Sequence, residues 1–332
     1  MSAFDPLPYM APLFAVALVA EGLAVRYSRR ALVSGIGCIV IDQVTAAWGL
    51  ALFLTAFAAL HRHVAVVALP SSSITTYVIA IVAHDLAYYA FHRASHRVNI
   101  LWAAHVVHHQ SERYDFTVSL RQGSVATWVS YLFYAPLALL VDAQVFLFVH
   151  AAYQVFQFFV HTRAIGTLGP LEWLFATPSH HRVHHGSERR HIDRNYGGFF
   201  IVFDRLFNTF TAEDREPRYG VPGGYEMTSP LFANSYMFLR LIAASSRRTL
   251  RERLWLWFGP PEDAAKLISS GAHPPRVVEA TTLTRTWLPL AGAVGCAIAV
   301  GFAALQTPLT VVIAIASILL VEVASAPLDG RK

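Results

Sequence analysis

The residues of this chain that could do chemistry are histidines, and their spacing is selective. Residues 105–109 read HVVHH and residues 181–185 read HRVHH, one H-x-x-H-H frame written twice with different filler. Upstream, HRASH sets His92 and His96 four apart, and QFFVH sets Gln157 one helical step before His161. On a helix, positions i, i+3 and i+4 share a face, so each cluster can aim two or three imidazoles at one point. Imidazole suits zinc, copper, nickel and iron. A structural zinc takes four ligands and a catalytic zinc three plus water. His92, His96, His105, His108, His109, His161, His181, His184 and His185 exceed the needs of one ion and suit two, with open or water-filled positions. Cys38 and Cys296 match no metal spacing and clustered carboxylates are scarce, which argues against ordinary structural zinc.

Other polar residues stand beside this set. His84 lies two helical turns before His92 inside an apolar run, so it is a ligand candidate by its intramembrane position. His180 competes with His181, but His181 repeats the frame. Neutral imidazoles usually have their second N–H oriented by a carboxylate or a carbonyl. Asp85, Glu112, Glu172, Asp193 and Asp204 are candidates for that role, or are partners of arginines. Gln157 is a candidate ligand or hydrogen-bond partner. Asn195, in the run Asn195-Tyr196-Gly197-Gly198, reads as part of a tight turn that shapes a pocket. His150 reads as a hydrogen-bond partner of a neighbouring helix. His61, His63 and His273 fall away from the site, and His191 lies beside it or is simply exposed.

The elements that must position these residues are membrane helices. Of 332 residues, 55% are hydrophobic and only 14% charged, against roughly a quarter charged in soluble domains. Mean hydropathy is +0.44. Apolar runs at 8–25, 32–60, 74–91, 124–141, 143–161, 286–303 and 307–324 are each about long enough to cross a bilayer. The first has its arginines (Arg26, Arg29, Arg30) behind it, the wrong end for a cleavable signal. If those arginines are cytosolic, residues 92–123, 162–285 and the C-terminus share their side, and of 26 Lys plus Arg only Arg62 falls outside. The net charge of +5 then marks a basic face beside anionic headgroups, with nothing to suggest a nucleic-acid partner.

The expected fold is an all-α, polytopic membrane bundle with a cytosolic, histidine-rich two-metal cap. Its expected parts are N-terminal transmembrane helices (1–73), a catalytic region (74–235), an interfacial amphipathic segment (236–285) and a C-terminal transmembrane pair (286–332). Within the third, YMFLRLIAASSRRTLRERLWLWF sets Trp255 and Trp257 beside four arginines and reads as a helix lying in the interface plane. All four histidine clusters then meet at one membrane boundary, where two redox-active metals suggest oxygen chemistry on a lipid.

HDLAYYAFHRASH, WAAHVVHHQSERYDFTVSLRQ, QFFVHT and LGPLEWLFATPSHHRVHHG resemble the histidine boxes of the fatty acid hydroxylase/sterol desaturase superfamily. IDRNYGGFFIVFDRLFNTF and the stretch at 213–220 are similar to its alkylglycerol monooxygenase branch, and the likeness covers roughly residues 80–225. Gln110, Asp115, Phe203 and Asn208 depart from that branch without touching the histidines. The resemblance implies a non-haem di-iron oxidase of lipids with O2 as co-substrate, the nine histidines above being the ligands. It also implies either tetrahydrobiopterin or a separate electron donor, since no stretch of the chain reads as a fused donor domain. The charge partition directs the boxes toward the cytosol, and Arg outnumbering Lys 24 to 2 with abundant Ala points to a bacterial source, so the expected location is the bacterial cytoplasmic membrane.

Rival classes make distinct demands. A sterol or acyl-lipid desaturase would use the same di-iron site. A membrane metal transporter would string ligands through the membrane depth, a bis-histidine haem protein would leave most of the nine unused, and a zinc intramembrane hydrolase would need an HExxH-like motif, which is absent.

Overall fold

Long apolar runs form long helices, even where glycines interrupt them, and these build the frame in the computed structural model. It describes residues 7–268, apart from 68, 223–225 and 247. Four elements lead the chain: α1 (Leu7–Val25), α2 (Arg29–Val64), α3 (Ile74–Arg97) and α4 (Asn99–His109). They are followed by α5 (Phe116–Ser119), α6 (Ser124–Tyr134) and α7 (Ala143–Phe159). The polar half carries the short α8 (Pro178–His184) and α9 (Val202–Leu206), then α10 (Pro230–Ser245), α11 (Leu250–Phe258) and α12 (Pro261–Ile268). Among the described residues there is no strand, only an isolated antiparallel bridge between Phe175 and Phe200. The expected all-α class is what the described residues form.

Length and composition make α2 and α3 able to cross a membrane. At 36 residues α2 is ~54 Å long, well beyond a hydrocarbon core of about 30 Å. The fourth expected span, 124–141, takes a different form. Helix α6 stops after 11 residues and a 3-10 turn at Ala135–Leu139 continues it. Pro136 explains the change, because it lacks an N–H and its ring crowds the preceding turn of an α-helix. The fifth, α7, is 17 residues long, and the pair at 286–303 and 307–324 lies outside the described residues.

The helices alternate in direction. At one end His61 Nδ1 meets the Ala138 carbonyl at 2.8 Å and Val66 N–H donates to Leu139. At the other, Ser34 donates to the Met227 carbonyl. Between the ends, α2, α3, α6 and α7 close on a core of Phe57, Ala80, Tyr131, Tyr134, Phe146 and Val149. Close backbone approach is built in at Gly123, where a Cβ would stand 1.9 Å from the Ala104 carbonyl oxygen of α4.

A fully buried arginine, Arg121, ties the polar end together. It donates to the Val107 carbonyl, the Ser34 hydroxyl, the Met227 carbonyl and the Gln110 side-chain oxygen. The expected single interfacial helix in the C-terminal third is two helices. Helix α10 is capped at Ser246, and Thr249 starts α11 with a capping box to Glu252.

Candidate metal centre

The nine histidines gather into two groups. His92, His96, His105, His109 and His184 form one, and His108, His161, His181 and His185 form the other. Within each group the nitrogens lie within 4.8 Å of one another. The groups abut: the His109 and His185 rings stack at 4.3 Å. Each H-x-x-H-H frame divides between them. The i, i+4 pair His105 and His109 joins the first group, and the third member, His108, turns to the second. In the second frame His181 and His185 join the second group and His184 crosses to the first. Helical geometry permits this, since i+3 and i+4 lie on opposite sides of the direction set by i.

Hydrogen bonds to backbone carbonyls fix which nitrogen faces inward. His92 Nδ1 lies 2.9 Å from the Tyr196 carbonyl, His184 Nδ1 2.9 Å from that of Arg194, and His161 Nδ1 2.7 Å from that of Gln157. A carbonyl only accepts, so each Nδ1 carries the proton and each Nε2 presents a bare lone pair. The buried Nε2 atoms of His92, His96 and His184 have no hydrogen-bond partner. In the second group, His161 Nε2 stands 3.0 Å from both His108 Nε2 and His181 Nε2. Lone pairs converging in a buried space are unfavourable unless a cation lies among them, so this donor set fits metal ions. Burial, helped by like neighbours, pushes His105, His108, His109, His181 and His185 well below the ordinary imidazole range. Burial likewise pushes His184 down to about 3, so all six are neutral at physiological pH, the form that ligates.

Two of these carbonyls, those of Arg194 and Tyr196, are aimed by one loop, while that of Gln157 belongs to α7. Asp193 and Asn195 sit at φ of 61° and 54°, a left-handed conformation that Asp and Asn tolerate. The Asn195 amide donates to the His180 and Thr211 carbonyls, and its oxygen accepts from Thr211 N–H. Asp204 accepts from Tyr196 N–H (2.8 Å), Gly197 N–H (2.6 Å) and the Thr209 hydroxyl (2.6 Å). Asp85 of α3 accepts from Tyr153, Phe199 N–H and Phe200 N–H. Gln157 donates to the Gly198 carbonyl and accepts from Tyr88.

None of the five candidate carboxylates directly orients an imidazole of the centre, one of the two roles the sequence left open for them. Asp85 and Asp204 hold the loop that does. Asp193 pairs with Arg97, Glu172 accepts from Thr177 and Ser179, and Glu112 lies at a surface cavity. Backbone carbonyls win because the loop packs directly against α3 and α8, leaving carboxylates a layer further out. His84 is not in either group: its Nε2 meets His150 Nδ1 at 3.1 Å, which is the neighbouring-helix bond expected of His150. His180 is also apart, near Thr177 and Glu172. His191 is buried against Glu188 rather than exposed.

Tyr114 and Tyr219 escaped the sequence reading. Their rings stack at 5.0 Å, and Tyr114 lies 5.3 Å from His185. They wall a cavity of about 690 Å³ that also presents Arg113, Arg163, Glu216 and Glu226. For Tyr114, a tyrosine five residues beyond the His108-His109 pair was the available signal.

Fold and site together define, among the described residues, an all-helical protein with a histidine-rich centre suited to metal. Residues 77–209 match the fatty acid hydroxylase family model, and that stretch contains all nine histidines. Human alkylglycerol monooxygenase is 43% identical over 169 residues, 51% of this chain and 38% of that protein. The Danio rerio alkylglycerol monooxygenase is 45% identical over 168 residues, covering 49% and 37%. Ornithine lipid hydroxylase OlsE of Rhizobium tropici is 29% identical over 141 residues, covering 40% and 41%. The chain thus spans about two fifths of the length of these curated relatives. No solved structure matches it.

Proposed function

We propose that this chain is an integral-membrane, non-haem di-iron oxygenase that hydroxylates a C–H bond of a lipid with O2. The observation that carries the reading is the division of nine histidines into a set of five and a set of four, with bare inward nitrogens. His92, His96, His105, His109 and His184 would hold one iron, and His108, His161, His181 and His185 the other. Iron bound there would supply the redox chemistry of O2 and the C–H bond. The protein's own part is to hold the ligands in one tautomer through the carbonyls of Gln157, Arg194 and Tyr196. One oxygen atom goes to the lipid and the other leaves as water, with two electrons and two protons supplied from outside. Tetrahydrobiopterin or a separate protein donor is the expected source.

The charge partition supports a multi-pass placement in a bacterial cytoplasmic membrane with the site on the cytosolic side. The relatives' names support two substrates: a glycerol ether lipid first, an ornithine-type aminolipid second. The mixed Arg and Glu lining of the Tyr114 cavity suits the polar headgroup of either.

Metal analysis of the purified protein should find two irons per chain. A single zinc, or a haem absorption band, would sink the reading. Turnover under ¹⁸O2 with a reductant should put one labelled oxygen into the lipid, and an unlabelled desaturated product would replace hydroxylation by desaturation. His108→Ala should lose about one iron and nearly all turnover, read by the same two measurements.

A further inference from the structure

The segment between α7 and α10 reads as polar, yet it exposes a concentrated set of large apolar side chains. Leu171 is 54% exposed, Trp173 72%, Leu174 46%, Leu206 67% and Phe207 44%. They come from two pieces that pack together, the turn at Gly169–Trp173 and helix α9. Ile201 N–H donates to the Leu174 carbonyl, and Arg205 donates to the Glu172 carbonyl. Monomeric soluble surfaces rarely expose contiguous apolar patches of this kind without a partner.

Ring contacts give the depth of this lobe relative to the long helices. Phe207 stacks on Tyr89 of α3 at 5.4 Å, and Phe199 meets Phe156 of α7 at 4.7 Å. Both contacts fall one to two turns before the first arginine beyond each apolar run, Arg93 and Arg163. On α3, Val78, Val82 and Leu86 form an exposed i, i+4 stripe that ends near Tyr89. The lobe meets α3 just past that stripe, through Phe203 and Phe207 on Tyr89. Its central cation is folded inward: the Arg205 guanidinium lies 4.8 Å from the Trp173 ring centroid and 3.9 Å from that of Phe210.

We propose that the lobe of residues 168–174 and 202–207 inserts monotopically into the adjoining lipid leaflet, its occupant being the bilayer itself. The inference rests on the membrane placement proposed above. The lobe leads directly into α8 and the Tyr196–Phe200 loop, so its insertion sets the histidine centre beside the acyl region. A lipid could then reach the site without crossing water.

The test uses the full chain in nanodiscs, in a Cys38→Ala, Cys296→Ala background. An environment-sensitive fluorophore is placed by Leu171→Cys or Leu206→Cys. Leu86→Cys on α3 and Arg189→Cys on the polar face serve as references. Nitroxide-bearing phosphatidylcholine should quench the Leu171 and Leu206 probes severalfold more than the Arg189 probe, and as strongly as the Leu86 probe. Probes quenched only by aqueous iodide, with Leu86 still quenched by lipid, would overturn the lobe alone. Shielding from both quenchers would overturn it by showing a protein cover, such as residues 286–324 of this chain or a second copy. If Leu86 also stays aqueous, the membrane placement itself falls. Should a labelled variant fail to fold, the unmodified protein is tested in nanodiscs containing a phosphatidylcholine with a photoreactive diazirine at its acyl chain. Crosslinking of the lipid to residues 168–174 supports insertion, and its absence with α3 still labelled opposes it.

Discussion

At the residue scale, the centre depends on atoms that no histidine motif contains. The carbonyls of Arg194 and Tyr196 hold His184 and His92, and Asp204 holds Tyr196 and Gly197 by their N–H groups. Asp204→Asn keeps the shape but sets an amide NH2 against one of those N–H donors. A buried group left unsatisfied costs about 1–3 kcal/mol, so thermal unfolding should shift by that amount and iron content should fall although every histidine remains. Unchanged iron would mean that the loop does not aim the ligands. The nine candidate ligands were legible because their spacing is local. Their division into five and four was not, because the assignment of His108 and His184 is decided by how α4 and α8 face each other. Asp85 and Asp204 were legible as important carboxylates, but their partners, backbone N–H groups at 196–200, lie far from Asp85 in sequence.

At the element scale, the site is a set of short pieces pinned to long helices, and glycine marks the tightest pin. A Cβ at Gly198 would stand 1.2 Å from the Tyr153 hydroxyl, the same hydroxyl that donates to Asp85. Gly198→Ala should therefore displace Tyr153 or the loop and lower stability by about 1–3 kcal/mol, the usual cost of overpacking. Gly166→Ala is the control, since a Cβ there meets nothing within 4 Å. Equal melting temperatures for the two variants would refute a close-packed loop. Hydropathy located α1, α2, α3 and α7 well, because each is one uninterrupted run. It was poorer where a single residue ends an α-helix: Pro136 turns the end of the fourth run into a 3-10 turn, and Thr249 starts a second helix within the basic stretch. Windowed hydropathy averages over such points.

At the scale of the whole molecule, burying many neutral imidazoles links stability to pH and to metal. His105, His108, His109, His181, His184 and His185 are all held below the ordinary imidazole value, His184 at about 3. In the unfolded chain imidazoles titrate near about 6.5. Below that pH the unfolded state binds protons that the metal-free folded state refuses, so stability falls as pH falls. The loss begins near the unfolded value and continues toward the depressed folded ones. Asp204 works the other way: burial raises it to about 6, so its protonation on acidification favours the fold, but it is one carboxyl against six imidazoles. The metal-free protein should therefore melt progressively lower from pH 7 toward pH 4. A melting temperature that stays flat across that range would mean the imidazoles are solvated enough to protonate in place. Metal restores what acid removes, because a cation satisfies the lone pairs and binds only the folded arrangement. Ferrous iron added at pH 7 should raise the melting temperature of the chelator-treated chain, and the gain should shrink on acidification as protons compete for the same nitrogens. His108→Ala should keep part of that gain, since the group of five does not include it.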